Sequence, residues 1–369
     1  MHQMNALPAI ARWARYEFRH RLVVISMQPR GRPLLSMSMR PYLLWLLAGA
    51  LLARVASAFA GTLELVQTIP LVASGRIDHL SIDARSNRLF VAALGNHSLE
   101  VVNLATGAVR SIGDLGKPQG VAYSASLNHL FVADGDRAVV ATLDSETLAA
   151  ISRTEGLADA DNLRYDPVAE RVYVGYGEGG IRVLDAKTGA SVADIKLPAH
   201  PEGFAIGRDG KRLFANVPDA GAIVVLDTER KEIVQRWSMQ EAKANFPLAL
   251  DETDRRVFVG ARRPPTVLVY DMDTGRRAAS LPIGGDVDDI FFDSASGRLF
   301  AICGEGFIDV IQQLDRDHYR AEARVATRSG ARTGLYVPEL RRLYVAVPRH
   351  LGKSAEVQAY AWSGEATGR

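Results

Sequence analysis

The chain has 369 residues, 47% hydrophobic and 23% charged, with a formal net charge of +2. The basic surplus sits at the N-terminus: residues 1–60 hold eight arginines, no lysine and one acid, Glu17, so residues 61–369 carry 36 basic and 41 acidic side chains, net −5. That balance argues against a nucleic-acid partner, and a lone cysteine, Cys303, excludes an internal disulfide, leaving stability to the core.

Residues 1–38 are basic, carry Pro29 and Pro33 and show no sustained period. They read as a non-structural or upstream extension, with Met37 or Met39 as the start. Residues 39–60, MRPYLLWLLAGALLARVASAFA, follow the secretory pattern. Arg40 is the positive region, Leu43 to Ala53 the apolar core, and Ala58 or Ala60 the cleavage position. Arg54 interrupts the run short of the roughly 20 apolar residues a membrane span needs. A periplasmic or secreted protein is expected, touching a membrane only through an uncleaved signal segment.

A strand, TLELVQTI (62–69), comes next, followed by a motif that recurs seven times: RLFVAA (88–93), HLFVAD (129–134), RVYVGY (171–176), RLFANV (212–217), RVFVGA (256–261), RLFAIC (298–303) and RLYVAV (342–347). Successive aromatics are 41, 42, 41, 44, 42 and 44 residues apart. A period of 40–45 residues built of short strands is that of a propeller blade. Each repeat divides into a first strand and turn, the aromatic strand, a third strand often ending in Asp, and a closing strand after a turn such as Thr106-Gly107, Thr188-Gly189 or Thr274-Gly275. The segment Gln240–Ala244 reads as a helix-like insert. The last repeat has three strands, so the strand at 62–69 is expected to complete it and close the ring, leaving no unpaired inner edge. The fold is therefore read as all-β: residues 61–369 form one seven-bladed β-propeller with four-stranded antiparallel blades.

The repeat resembles that of the YVTN-repeat (YncE-like) bacterial beta-propellers over about residues 62–362. It departs from the naming motif, because the tetrad is FVAA, FVAD, YVGY, FANV, FVGA, FAIC and YVAV, and its Thr is always replaced. The resemblance implies a seven-bladed ring and an exported protein, and no single activity.

First strands line the central channel of such a ring. Aligned, they read IDHLSID (77–83), PQGVAYS (118–124), ADNLRYD (160–166), PEGFAIG (201–207), NFPLALD (245–251), VDDIFFD (287–293) and ARTGLYV (331–337). The second column, Asp78, Gln119, Asp161, Glu202, Phe246, Asp288 and Arg332, is expected to ring one mouth. Arg332 should lie near both Asp288 and Asp78, whereas Asp161 and Glu202 find no basic residue in these columns. Without a cation, one of those two should have a raised pKa. The set Asn162, Glu202, Asp161 and Asp288 offers hard oxygen ligands for a divalent cation such as Ca²⁺, with His79 and Asp78 as the water-activating pair if the protein is a hydrolase. The loops after the aromatic strands share that mouth, and Arg262-Arg263 there offers two cations beside Phe246. Asp83, Asp166, Asp251 and Asp293 end first strands at the opposite face and are assigned to turn capping.

No nucleophile elbow, phosphate loop or Cys-x-x-Cys is present. The leading expectation is a monomeric binding module whose funnel mouth takes a small molecule, a peptide or an envelope protein. A metal-dependent hydrolase of lactonase type, using the same funnel, is the alternative.

Overall fold

The computed structural model describes residues 61–363; the extension and the signal pattern at 1–60 lie outside the described residues. Among the described residues the strands form seven four-stranded antiparallel sheets, each in sequential order from the channel outward apart from the last. The innermost strands are Leu80–Asp83, Pro118–Ser124, Leu163–Asp166, Phe204–Ile206, Lys243–Asp251, Val287–Asp293 and Thr333–Val337. In the last sheet the outermost strand is Leu63–Leu71, paired antiparallel with Ala355–Trp362, from Leu63 opposite Trp362 to Leu71 opposite Ala355. The chain's first strand thus completes its last blade. No helix forms at Gln240–Ala244: the chain bends, buries Met239 and Ala242 in the core, and enters the strand Lys243–Asp251. Five residues are too few to sustain a helix against that burial.

The second strands are apolar without alternation because a blade covers each of their faces. Their aromatics form a belt around the ring. Phe90 packs on Tyr123, Phe131 on Tyr165, Phe258 on Phe292 and Phe300 on Tyr336, with ring centroids 5.0–6.1 Å apart. Each pair joins one blade's second strand to the next blade's innermost strand. Where that partner position is aliphatic the two residues share a hydrophobic cluster: Tyr173 and Ile206, Phe214 and Leu250, and Tyr344 of the last blade and Ile82 of the first. Aromatic pairs contribute about 0.5–1.5 kcal/mol each beyond area burial, so the repeated aromatic is the joint between blades.

The face opposite the funnel is made of turns. Asp166 Oδ1 accepts from the Val168 N–H at 2.8 Å, and Asp251 Oδ1 from the Thr253 and Asp254 N–H groups at 3.0 and 3.1 Å. Asp83 and Asp293 cap their turns in the same way. Asp185 caps the Thr188-Gly189 turn by accepting from the Lys187 and Thr188 N–H groups. Gly189 there has φ +73°, a conformation that strains any side chain.

Candidate functional site

Every innermost strand runs from one mouth toward the capped face, so its first residues converge. A cavity of about 530 Å³ opens there, lined by Asp78, Gln119, Asp161, Glu202, Phe246, Asp288 and Arg332, one from each blade. His79 and Asn162 line it too, as does Arg262 at the end of a second strand. Arg263 is exposed and absent from the lining, because neighbours on a strand face opposite ways. The two arginines do not act as a pair.

Asp286, Asp288 and Asp289 follow one another closely in sequence; the first two share a pair of guanidiniums, and the third has partners of its own. Asp286 lies 2.9 Å from Arg332 Nη1 and 3.3 Å from Arg262 Nε. Asp288 accepts from Arg262 Nη2 at 2.5 Å and faces Arg332 Nε at 2.9 Å. Arg262 is further fixed by donating to the Val287 carbonyl at 2.9 Å, with its guanidinium 3.9 Å from the Phe246 ring centroid. Asp289 turns the other way. Its Oδ2 accepts from the Gly334 N–H at 2.8 Å and lies 3.8 Å from His79 Nδ1. The like charges coexist because two guanidiniums and an imidazole are interleaved with them.

On the other side of the funnel, His79 Nε2 is 3.8 Å from Asp78 Oδ1, and Arg76 Nη2 is 3.9 Å from Asp78 Oδ2. Arg76 and His79 are thus the cations nearest Asp78, whereas Arg332 pairs directly with Asp286 and Asp288 and feels Asp78 through the field across the closed ring. Asp161 is 4.0 Å from His200 Nε2, and His200 Nδ1 contacts the Gly177 carbonyl at 2.6 Å. Burial pushes Asp78 up to about 7, against the pull of His79. Burial also raises Glu202 to about 7, with Asp161 adding to the effect. The contact with Asp161 raises His200 to about 9. Burial would lower His79, but Asp289 and Asp78 outweigh it and hold the imidazole at about 9. Asp161 resists its burial and stays below the usual carboxylate range because His200, His79 and Gln119 surround it. Of Asp161 and Glu202, the one with the raised pKa is therefore Glu202.

Ligand atoms of Asp78, His79 and Asp161 lie within 4.8 Å of one another. This group differs from the oxygen set Asn162, Glu202, Asp161 and Asp288. Asp288 is already held by two guanidiniums, an arrangement that opposes a cation at the same carboxylate. Asn162 lines the same cavity: it is 3% exposed and its Oδ1 has no hydrogen-bond partner.

Arg76, Lys117, Asp159, Arg164 and His200 also line the funnel, outside the two sequence columns that defined its ring. Four of these stand in the connections that lead from one blade into the next innermost strand. That segment reaches the mouth just as the loops after the second strands do, and its residues carry no repeat signal. Arg164 was legible, since it lies two residues beyond Asn162 and strand alternation returns it to the same face. The acidic loops after the aromatic strands have another task. Asp134 accepts from the Gly116 and Lys117 N–H groups at 2.7 and 2.8 Å, and Glu305 from the Gly285 N–H at 2.7 Å. They pin the connections that carry the funnel residues.

No family model matches the chain. Over 209 residues it is 23% identical to the probable U3 small nucleolar RNA-associated protein 18 of Schizosaccharomyces pombe, a match covering 51% of this chain and 40% of that protein. The chain thus spans well under half the length of this curated relative. Among solved structures, a chain of the crystal structure of the mitotic checkpoint complex superposes with a TM-score of 0.71 at 13% identity, covering 93% of this chain and 99% of that one. A chain of Kuenenia stuttgartiensis hydrazine synthase superposes with a TM-score of 0.65 at 17% identity, covering 75% and 94%. These likenesses show the seven-bladed β-propeller fold and do not reach the YVTN family.

Proposed function

We propose that the protein is a binding module that receives its ligand or partner on the funnel mouth. The observation that carries this reading is the convergence of charged side chains from six of the seven blades, all but the Gln119 blade, on one cavity of about 530 Å³. A closed ring makes that platform rigid, and rigid scaffolds presenting convergent polar groups are typical binding sites. One similar chain comes from a mitotic checkpoint complex and one relative is named a small nucleolar RNA-associated protein; both names denote association with other macromolecules, which agrees with a partner-binding role. On the secretory pattern at 39–60 we place this role in the periplasm or outside the cell. The lactonase-type reading called on Asp288 as a metal ligand; its two guanidinium partners favour the binding reading instead.

Site-specific photo-crosslinking in the native host tests this. A crosslinker at Lys117 or Arg263 on the mouth face should trap a discrete adduct, whereas one at Val168 or Leu314 on the capped face should not. Glu202→Lys should abolish the mouth adduct. Adducts confined to the capped face, or a mouth adduct indifferent to Glu202→Lys, would refute the proposal.

A further inference from the structure

The structure assigns a divalent transition-metal site to Asp78, His79 and Asp161, with Asn162 Oδ1 as the fourth ligand. This goes beyond the binding role and rests on it only in taking the funnel as the functional surface. Asp78 and His79 come from the first blade and Asp161 from the third, with Gln119 of the intervening blade beside them in the cavity. Their ligand atoms already lie within 4.8 Å of one another. Ligands in a first-row site sit about 2.0–2.2 Å from the metal, so an inward movement of roughly 1 Å brings these three atoms to coordination distance.

Two observations beyond the acidic cluster point to an ion. The first is Asn162: buried amide oxygens are almost always satisfied, yet this one is 3% exposed, lines the same cavity and has no partner. A cation bound beside Asp161 supplies one. The second is the orientation of His79. Its Nε2 faces Asp78, while its Nδ1 faces Asp289 Oδ2 at 3.8 Å, and Asp289 is itself anchored by the Gly334 N–H at 2.8 Å. A carboxylate behind the imidazole is the arrangement that orients a metal-binding histidine.

The donor set of one imidazole nitrogen, two carboxylates and one amide oxygen selects the metal class. Ca²⁺ takes six to eight oxygens, whereas Zn²⁺ accepts mixed nitrogen and oxygen ligands in fourfold coordination. The competing cations are Arg76, 3.9 Å from Asp78 Oδ2 with a side chain 58% exposed, His200, 4.0 Å from Asp161 Oδ2, and Arg164 in the same cavity; metal binding has to outweigh all three.

The test uses the purified full-length protein, stripped with chelator and titrated by calorimetry with zinc chloride and, separately, calcium chloride. One zinc per chain should bind with a micromolar or lower Kd, and calcium at least ~100-fold more weakly. His79→Gln and Asp161→Asn should each weaken zinc on the order of 100-fold, and Asn162→Ala roughly 10-fold. His318→Ala, on a remote loop where the imidazole contacts Asp315, should leave the affinity unchanged. Absence of stoichiometric zinc binding, binding insensitive to His79→Gln, or a preference for calcium overturns the assignment. Anomalous diffraction from zinc-soaked crystals of the wild-type protein locates the ion directly, so the test survives a variant that fails to fold; a peak away from His79 also overturns it. Crosslinks at the mouth that persist in the stripped protein, with zinc binding absent, would sink this inference alone and leave the binding role standing.

Discussion

Substituting Ile69 by alanine tests whether the ring is one cooperative body. Ile69 lies on the closing strand, is 2% exposed, and packs in one cluster with Val357 and Ala359 of the last blade and Leu89 and Val91 of the first. The substitution removes three carbon groups at about 0.8 kcal/mol each, roughly 2.4 kcal/mol of transfer free energy. The residual cavity adds to that, since a side chain wedged between two blades cannot be replaced by collapse, giving a loss of about 3–4 kcal/mol. For a domain of this size each kcal/mol moves Tm by about 2 °C or slightly more, so a single transition should fall by roughly 6–8 °C. Val66, half exposed on the same strand, is the control, and Val66→Ala should change Tm by less than about 1 °C. Differential scanning calorimetry reads both, and deletion of residues 62–70 should abolish cooperative unfolding. An unchanged Tm for Ile69→Ala, or a deletion variant melting like the wild type, would refute closure by the first strand. The same seam holds the funnel together, because Thr333 Oγ1 of the last blade donates to the Ile77 carbonyl of the first at 3.3 Å.

Three further outcomes follow from the site. Glu202, whose ordinary pKa of 4.5 is raised to about 7, binds its proton more tightly when folded than when unfolded, so this residue lowers stability as pH rises from about 4.5 through 7. Glu202→Gln should therefore melt higher than wild type above pH 7 and alike below pH ~4.5; melting curves across that range with no convergence at low pH would count against the burial argument. Asp289→Ala strands both the Gly334 N–H and His79, and chemical denaturation should show a loss of about 2 kcal/mol, with Asp289→Asn milder because it still accepts the N–H. A Cβ at Gly120 would sit 2.1 Å from the Asp161 carbonyl oxygen on the next blade. Gly120→Ala should thus cost about 1–3 kcal/mol and displace Asp161, so an unaffected zinc titration would show that Asp161 is not where the site requires it.

Blade number, closure and the capped face were all legible in the residues alone. They rest on local rules: an apolar strand with an aromatic repeated seven times, an aspartate that caps the turn after four of the first strands, and a Thr-Gly turn in three of the repeats. The second column was legible as well, because strand alternation and a common register carry Asp78, Asp161, Glu202 and Arg332 to one opening without any knowledge of distance. What the tertiary structure alone decided is which charge meets which. His200, Arg76 and Lys117 reach the funnel from the connections between blades, whose length and path have no period, and so no column contains them. Asp289 was visible as the neighbour of Asp288, but its service to His79 spans 210 positions of the chain and depends on the first and last blades meeting around a closed ring. Coulomb interactions act through space and are indifferent to sequence separation, so the electrostatics of this funnel exist only once the ring has closed.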